Sequence, residues 1–164
     1  MYEGGGACTF CRGDGSSIGF HLEIGRAGIS SPYFFEEMVK ILFLIALGGG
    51  LGSVSRFLLS RLCGEFQAFS LPWATLLVNV VGSILIGAFY ALSEKYSLSQ
   101  GIRLLLTTGF CGGFTTFSTF SYENLQLLRQ GDYRAFFLYV SLSLFACLVG
   151  VAFGHYLFST PSAR

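Results

Sequence analysis

The chain has 164 residues, of which 52% are hydrophobic and only 12% charged, too few ionisable groups to coat a soluble globule of this size. The bilayer is the expected solvent, and the length suits a single polytopic domain. A net charge of +1, with no basic stripe interleaved with aromatics, gives nucleic acid nothing to bind.

Residues 1–37 are Gly-rich and carry Glu3, Asp14, Glu23, Glu36 and Glu37, with no apolar core long enough for a signal sequence. They read as a disordered leader. Met38 opens the first hydrophobic block, so one expectation is a natural start there and a working domain at 38–164. The five cysteines are Cys8, Cys11, Cys63, Cys111 and Cys147, an odd count at irregular spacing, and no disulfide framework follows. Cys8 and Cys11 form one CxxC with no second pair and no surrounding His constellation, so no metal or redox centre is expected there.

Four runs are free of Asp, Glu, Lys and Arg: Ile41–Ser55, Pro72–Ser93, Leu104–Tyr122 and Ala135–Gly154. A span needs roughly 20 apolar residues of helix, and the predicted helices are 39–60, 72–93, 102–128 and 133–158. The first reaches that length only if Arg56 snorkels near its end. Short loops holding Gly64, Glu65, Glu94, Lys95, Gly131 and Asp132 join them.

In the first helix Gly48, Gly49, Gly50 and Gly52 lack the preceding strand and the Lys-Ser/Thr pair of a phosphate loop, and predict close packing through small residues. Arg56 is either an interfacial anchor or a cation that draws anions to a vestibule. In the second helix Thr75 and Asn79 share a face at i, i+4, with Gly82 and Ser83 a turn beyond. An amide at that depth needs an interhelical partner or a permeating species.

The third helix contains Gly109, Gly112 and Gly113 beside Thr115, Thr116, Ser118 and Thr119, which predicts a break. Freed backbone groups in hydrocarbon must be met by protein, water or an ion. Phe117 and Phe120 lie at i, i+3, and their ring edges carry partial positive charge that can face an anion. In the fourth helix Tyr139, Ser143 and Cys147 form a polar stripe, facing a water-accessible path or bonding back to their own helix.

From Met38 on, Lys40, Lys95, Arg103 and Arg164 fall on one side of four spans, and Arg56, Arg61, Arg129 and Arg134 on the other. A balanced count is expected of a chain that inserts both ways, and two opposed copies can pair as an antiparallel dimer.

Gly48–Gly52 with Arg56, Thr75 with Asn79 and Gly82, and the stretch GFCGGFTTFSTFSYE at 109–123 together resemble the CrcB/Fluc family of fluoride channels, over residues 38 to about 158. The resemblance implies an all-α membrane protein of four helices with a broken third, acting in the bacterial inner membrane as an antiparallel dual-topology homodimer. It implies passive fluoride export that limits toxicity. By position, Asn79 would hydrogen-bond fluoride and Phe117 and Phe120 would form an aromatic box. Thr75, Ser118, Thr119, Tyr139 and Ser143 would extend a polar track from a vestibule at Arg56. The backbone carbonyls of Gly112 and Thr115 would hold a structural sodium ion between the copies. Cys147 stands where the family often has Ser.

A proton-coupled multidrug exporter of similar size would need a membrane-embedded carboxylate, and Glu123 is its only candidate. A structural subunit without transport activity would rest on the small-residue packing alone. No nucleophile and base can be assembled for an enzyme: His21 is in the leader and His155 is isolated near the end of the last helix.

Overall fold

The computed structural model describes residues 32–63 and 71–159, and all of its regular structure there is helical. The leader through residue 31 with Cys8, Cys11 and His21, the loop residues Gly64 and Glu65, and Arg164 lie outside the described residues.

Helix α1 runs Pro32–Cys63 and so begins ahead of Met38, inside the stretch assigned by sequence to the leader. Proline supplies a φ already suited to a first turn and gives up an N–H that has no intrahelical acceptor there. Lys40 pairs with Glu36 at 3.1 Å one turn away. Helix α2 is Trp73–Lys95, starting behind Pro72. A rod then forms from α3, Gln100–Leu104, a π-helical coil at Leu105–Cys111 and the single turn α4, Gly112–Phe114. The chain goes extended at Thr115 and Thr116 and resumes as α5, Phe117–Arg129. Gly131 takes a positive φ of 75° at the turn, and Asp132 caps α6, Tyr133–Phe158, by accepting the Ala135 N–H at 3.0 Å.

Among the described residues, three helices are long and apolar enough to cross a membrane: α1 from Phe35, α2 and α6. The predicted third span is present as the rod and α5, each short of the roughly 20 residues that a crossing needs. Leu47, Leu51, Val54 and Leu58 on α1 and Leu144, Phe145 and Leu148 on α6 are exposed. Apolar side chains facing outward along whole helices are what a hydrocarbon solvent favours.

The helices pack through backbone as much as through side chains. α1 lies on the rod, where a Cβ at Gly48 would run into the Leu105 carbonyl and come within 2.9 Å of the Phe110 nitrogen. A Cβ at Gly52 would meet the Phe110 carbonyl, and one at Gly113 the Gly49 carbonyl. The glycine run of α1 is therefore a packing face, as its small residues predict. α2 and α6 use the same device, Gly87 against the Val151 carbonyl and Gly154 against the Ile84 carbonyl. A small core of Leu76, Leu127 and Tyr139 ties α2, α5 and α6 together below the break.

Candidate functional site

The break in the third helix organises the site. Its extended residues have ψ of 156° at Thr115 and φ of −147° at Thr116, so the helical hydrogen-bond ladder cannot pass through them. Side chains take over. Asn79 of α2 accepts the Thr116 N–H on Oδ1 at 2.8 Å and donates from Nδ2 to the Thr116 carbonyl at 3.2 Å. The Thr116 hydroxyl accepts the Thr119 N–H at 3.2 Å, donates to the Thr119 hydroxyl at 2.9 Å and lies 3.2 Å from that of Ser118.

The break takes the helical donors from the carbonyls of residues 112–115, of which Gly113 regains the Ser53 hydroxyl at 3.4 Å. In a continuous helix the Thr116 N–H would serve the Gly112 carbonyl and the Thr119 N–H that of Thr115. Here the first goes to Asn79 and the second to the Thr116 side chain. The Gly112 face is also open, for a Cβ built there meets nothing within 4 Å. Uncharged oxygens with free lone pairs beside open space are hard-cation ligands. On the other side of the break, the first N–H groups of α5 face the opposite way and favour negative charge. A broken helix thus offers a cation end and an anion end within one loop.

The rings form a ladder. Phe117 and Phe120 have centroids 5.6 Å apart with planes tilted by 38°, and Phe120 continues to Tyr139 of α6 at 5.1 Å. Phe117 is 79% exposed, so the ladder ends on the surface of a single copy. Tyr139 at its other end is fully enclosed.

Below the ladder, Glu123 joins three helices. Its carboxyl group accepts the Thr75 hydroxyl at 2.6 Å on one oxygen and the Tyr139 hydroxyl at 2.8 Å on the other. Beside this, Ser53, Arg56 and Ser60 of α1 share a cleft of about 200 Å³ with Thr75, Thr116 and Thr119. Arg56 makes no ion pair among the described residues, so its guanidinium is free to face an anion in the cleft.

A family model described as "CrcB-like protein, Camphor Resistance (CrcB)" matches residues 43–155. The chain belongs to the CrcB family. A "Fluoride-specific ion channel FluC" of Phocaeicola vulgatus is 50% identical to it over 116 residues, covering 71% of this chain and 96% of the relative. Relatives with the same name in Bacteroides fragilis, 47% identical over 73% of this chain and 96% of their own length, and in Leptospira interrogans, 51% identical over 64% and 84%, are similar to it too.

In this CrcB chain the positions picked out by sequence converge. Thr75 and Asn79, one turn apart on α2, reach Glu123 and Thr116 respectively, while Ser118 and Thr119 gather on the Thr116 hydroxyl. The two phenylalanines stack as their spacing predicts. Arg56 reaches the same cleft as Thr75 and Thr119. Ser143 is buried one turn beyond Tyr139, and its hydroxyl has no hydrogen-bond partner, so it is not bonded back to its own helix. Cys147 is half-buried a turn further on.

Two groups escape the sequence reading. Thr116 serves at once as helix cap and as the backbone held by Asn79. Glu123 is considered from sequence only as the carboxylate that an exporter needs, whereas it ties Thr75 to Tyr139. The signal for both is the placement of a hydroxyl and a carboxylate one and three turns after the last glycine of a broken helix.

Proposed function

We propose that this chain is a fluoride channel, through which fluoride leaves the cell passively down its gradient. The observation that carries the reading is the line of neutral donors and ring edges at the break: the spare hydrogen of the Asn79 amide, the hydroxyls of Ser118 and Thr119, and the Phe117 and Phe120 rings. A small anion gives up its water only where other donors replace it, and a fixed positive charge in the path would hold it too long. Arg56 belongs at the mouth, concentrating anions, and the ions then pass along uncharged groups. The names carried by relatives near half identity point to the same ion.

The working unit in this reading is a homodimer of oppositely oriented copies in the bacterial inner membrane, each copy crossing four times. The rod and α5, taken together as residues 100–129, supply the length of the fourth crossing. The balanced Lys and Arg count supports insertion both ways. Phe117, exposed at the end of a ring ladder, supports a path completed by a second copy. A structural sodium ion fits the released carbonyls of Gly112 and Thr115, and would supply the positive charge that neutralises two converging carbonyl ends.

Fluoride-electrode recordings from proteoliposomes test the reading. Rapid fluoride efflux with chloride retained is expected, and vesicles that keep their fluoride would overturn it. Cysteine-accessibility mapping tests the dual orientation, and a single orientation in the membrane would remove the dimer as drawn.

A further inference from the structure

A second cleft, lined by none of the residues of the break, has the chemistry of a phospholipid site. It measures about 420 Å³ and lies between the start of α2 and the start of α6, walled by Leu71, Trp73, Leu138 and Leu142. Asp132 and Arg134 line the same cleft. Leu138 and Tyr133 beside it are exposed. A Trp and a Tyr at the ends of two apolar helices mark the level of the lipid headgroups.

The charges at the cleft are one of each sign, and both have capacity to spare. Arg134 forms no ion pair among the described residues. Asp132 uses Oδ1 to cap α6 through the Ala135 N–H at 3.0 Å, which leaves Oδ2 for another donor. An anionic lipid would satisfy the arginine and be repelled by the aspartate. A zwitterionic headgroup with a primary ammonium matches both: phosphate on the guanidinium, N–H donors on the carboxylate, and an acyl chain along the leucines. A trimethylated choline headgroup carries the same charges but has no N–H to give Asp132.

We propose that this cleft binds phosphatidylethanolamine, in preference to phosphatidylcholine and phosphatidylglycerol of the same acyl chains. The site is separate from the fluoride reading and does not depend on it.

The experiment uses the full-length protein, delipidated in detergent and offered an equimolar mixture of the three lipids, with bound lipid read by native mass spectrometry. Ethanolamine lipid should be retained at least about tenfold over each of the others, the ratio expected from one charge-assisted hydrogen bond. D132N, which keeps the helix cap, should bring ethanolamine and choline lipids to equal retention, and R134Q should lower retention of all three at this site. R61Q, on α1 and outside the cleft, should change nothing. Equal retention of the three lipids by the unaltered protein overturns the proposal without any variant. Preference for phosphatidylglycerol overturns it in favour of a general anionic shell. Loss of dimer mass in R134Q, with lipid preference intact, makes the cleft a contact between copies and overturns it as well.

Discussion

The Asn79 amide holds the Thr116 peptide from both sides, accepting its N–H at 2.8 Å and donating to its carbonyl at 3.2 Å. A side chain that pairs with one peptide in this way replaces the ladder bond that the Thr116 N–H loses at the break and adds a second donor to its carbonyl. The same contact commits one Nδ2 hydrogen and leaves the other for a passing anion. In the proposed channel Asn79 therefore serves structure and permeation together. In N79A the Thr116 N–H loses its partner, costing about 1–3 kcal/mol. The expected result is no fluoride efflux and a lowered melting temperature in detergent, read by electrode and by thermal denaturation. Normal flux from N79A would mean that the amide acts only as a clamp that another group can replace.

Phe117 separates the two roles. Its ring is 79% exposed and touches the rest of the copy chiefly through Phe120, so F117I should leave the stability of a single copy within about 0.5 kcal/mol. Fluoride efflux should nevertheless disappear, because a branched alkyl group has no positive ring edge to offer. Flux measurement beside gel filtration checks both halves.

Much of this was legible in the chain, and the reason differs by feature. Helix positions followed from charge-free runs, since a membrane span imposes both length and composition. The break followed from Gly109, Gly112 and Gly113 ahead of adjacent threonines, and the ring pair from a spacing of three residues. Local rules carry such features. The Asn79 clamp on Thr116 spans 37 residues and the Thr75 contact with Glu123 spans 48, and nothing local in either segment names the partner. The π-helical coil at Leu105–Cys111 is not legible, because Thr107, Thr108 and Gly109 weaken a helix without selecting this form of it, and the coil lies against the α1 backbone at Gly48. The early start of α1 has only Pro32 as a first-turn signal, set directly behind a Gly-rich stretch that favours no helix.

The carboxyl group of Glu123 is a joint between three helices, and its two partners should be coupled. T75V and Y139F each remove one donor at 2.6 and 2.8 Å, and each should cost about 1.5–3 kcal/mol. The double variant should fall short of the sum, since the carboxyl group relaxes once its first anchor is gone. Chemical or thermal unfolding of the four proteins in one detergent gives the cycle. Strict additivity would mean that the two hydroxyls act independently.

The glycine run on α1 allows predictions of opposite sign within one helical turn. A Cβ at Gly52 would run into the Phe110 carbonyl, and backbone there cannot move aside as a side chain would. G52A should destabilise by at least about 1–3 kcal/mol, the range for overpacked cores. At Gly50 a Cβ meets nothing within 4 Å, so G50A should stabilise the single copy by about 0.5–1 kcal/mol through helix propensity. Melting temperatures of both variants, measured side by side, check the pair. Equal effects would mean that α1 does not lie on the rod through this face.

Sodium at the break makes a thermodynamic prediction that needs no substitution. The Gly112 and Thr115 carbonyls lose their helical donors to Asn79 and to the Thr116 hydroxyl, so the proposed sodium ion would supply what the ladder no longer does. An ion that binds only the folded assembly stabilises it in proportion to the logarithm of its concentration, by about 1.4 kcal/mol per tenfold above the dissociation constant. Melting temperature should therefore rise with sodium and fall when N-methylglucamine replaces it at constant ionic strength, with fluoride absent throughout. The comparison at constant ionic strength matters, because general screening acts on surface pairs such as Lys40 with Glu36 and would respond alike to either cation. A curve indifferent to the identity of the cation would leave the released carbonyls to be met by water or by the second copy.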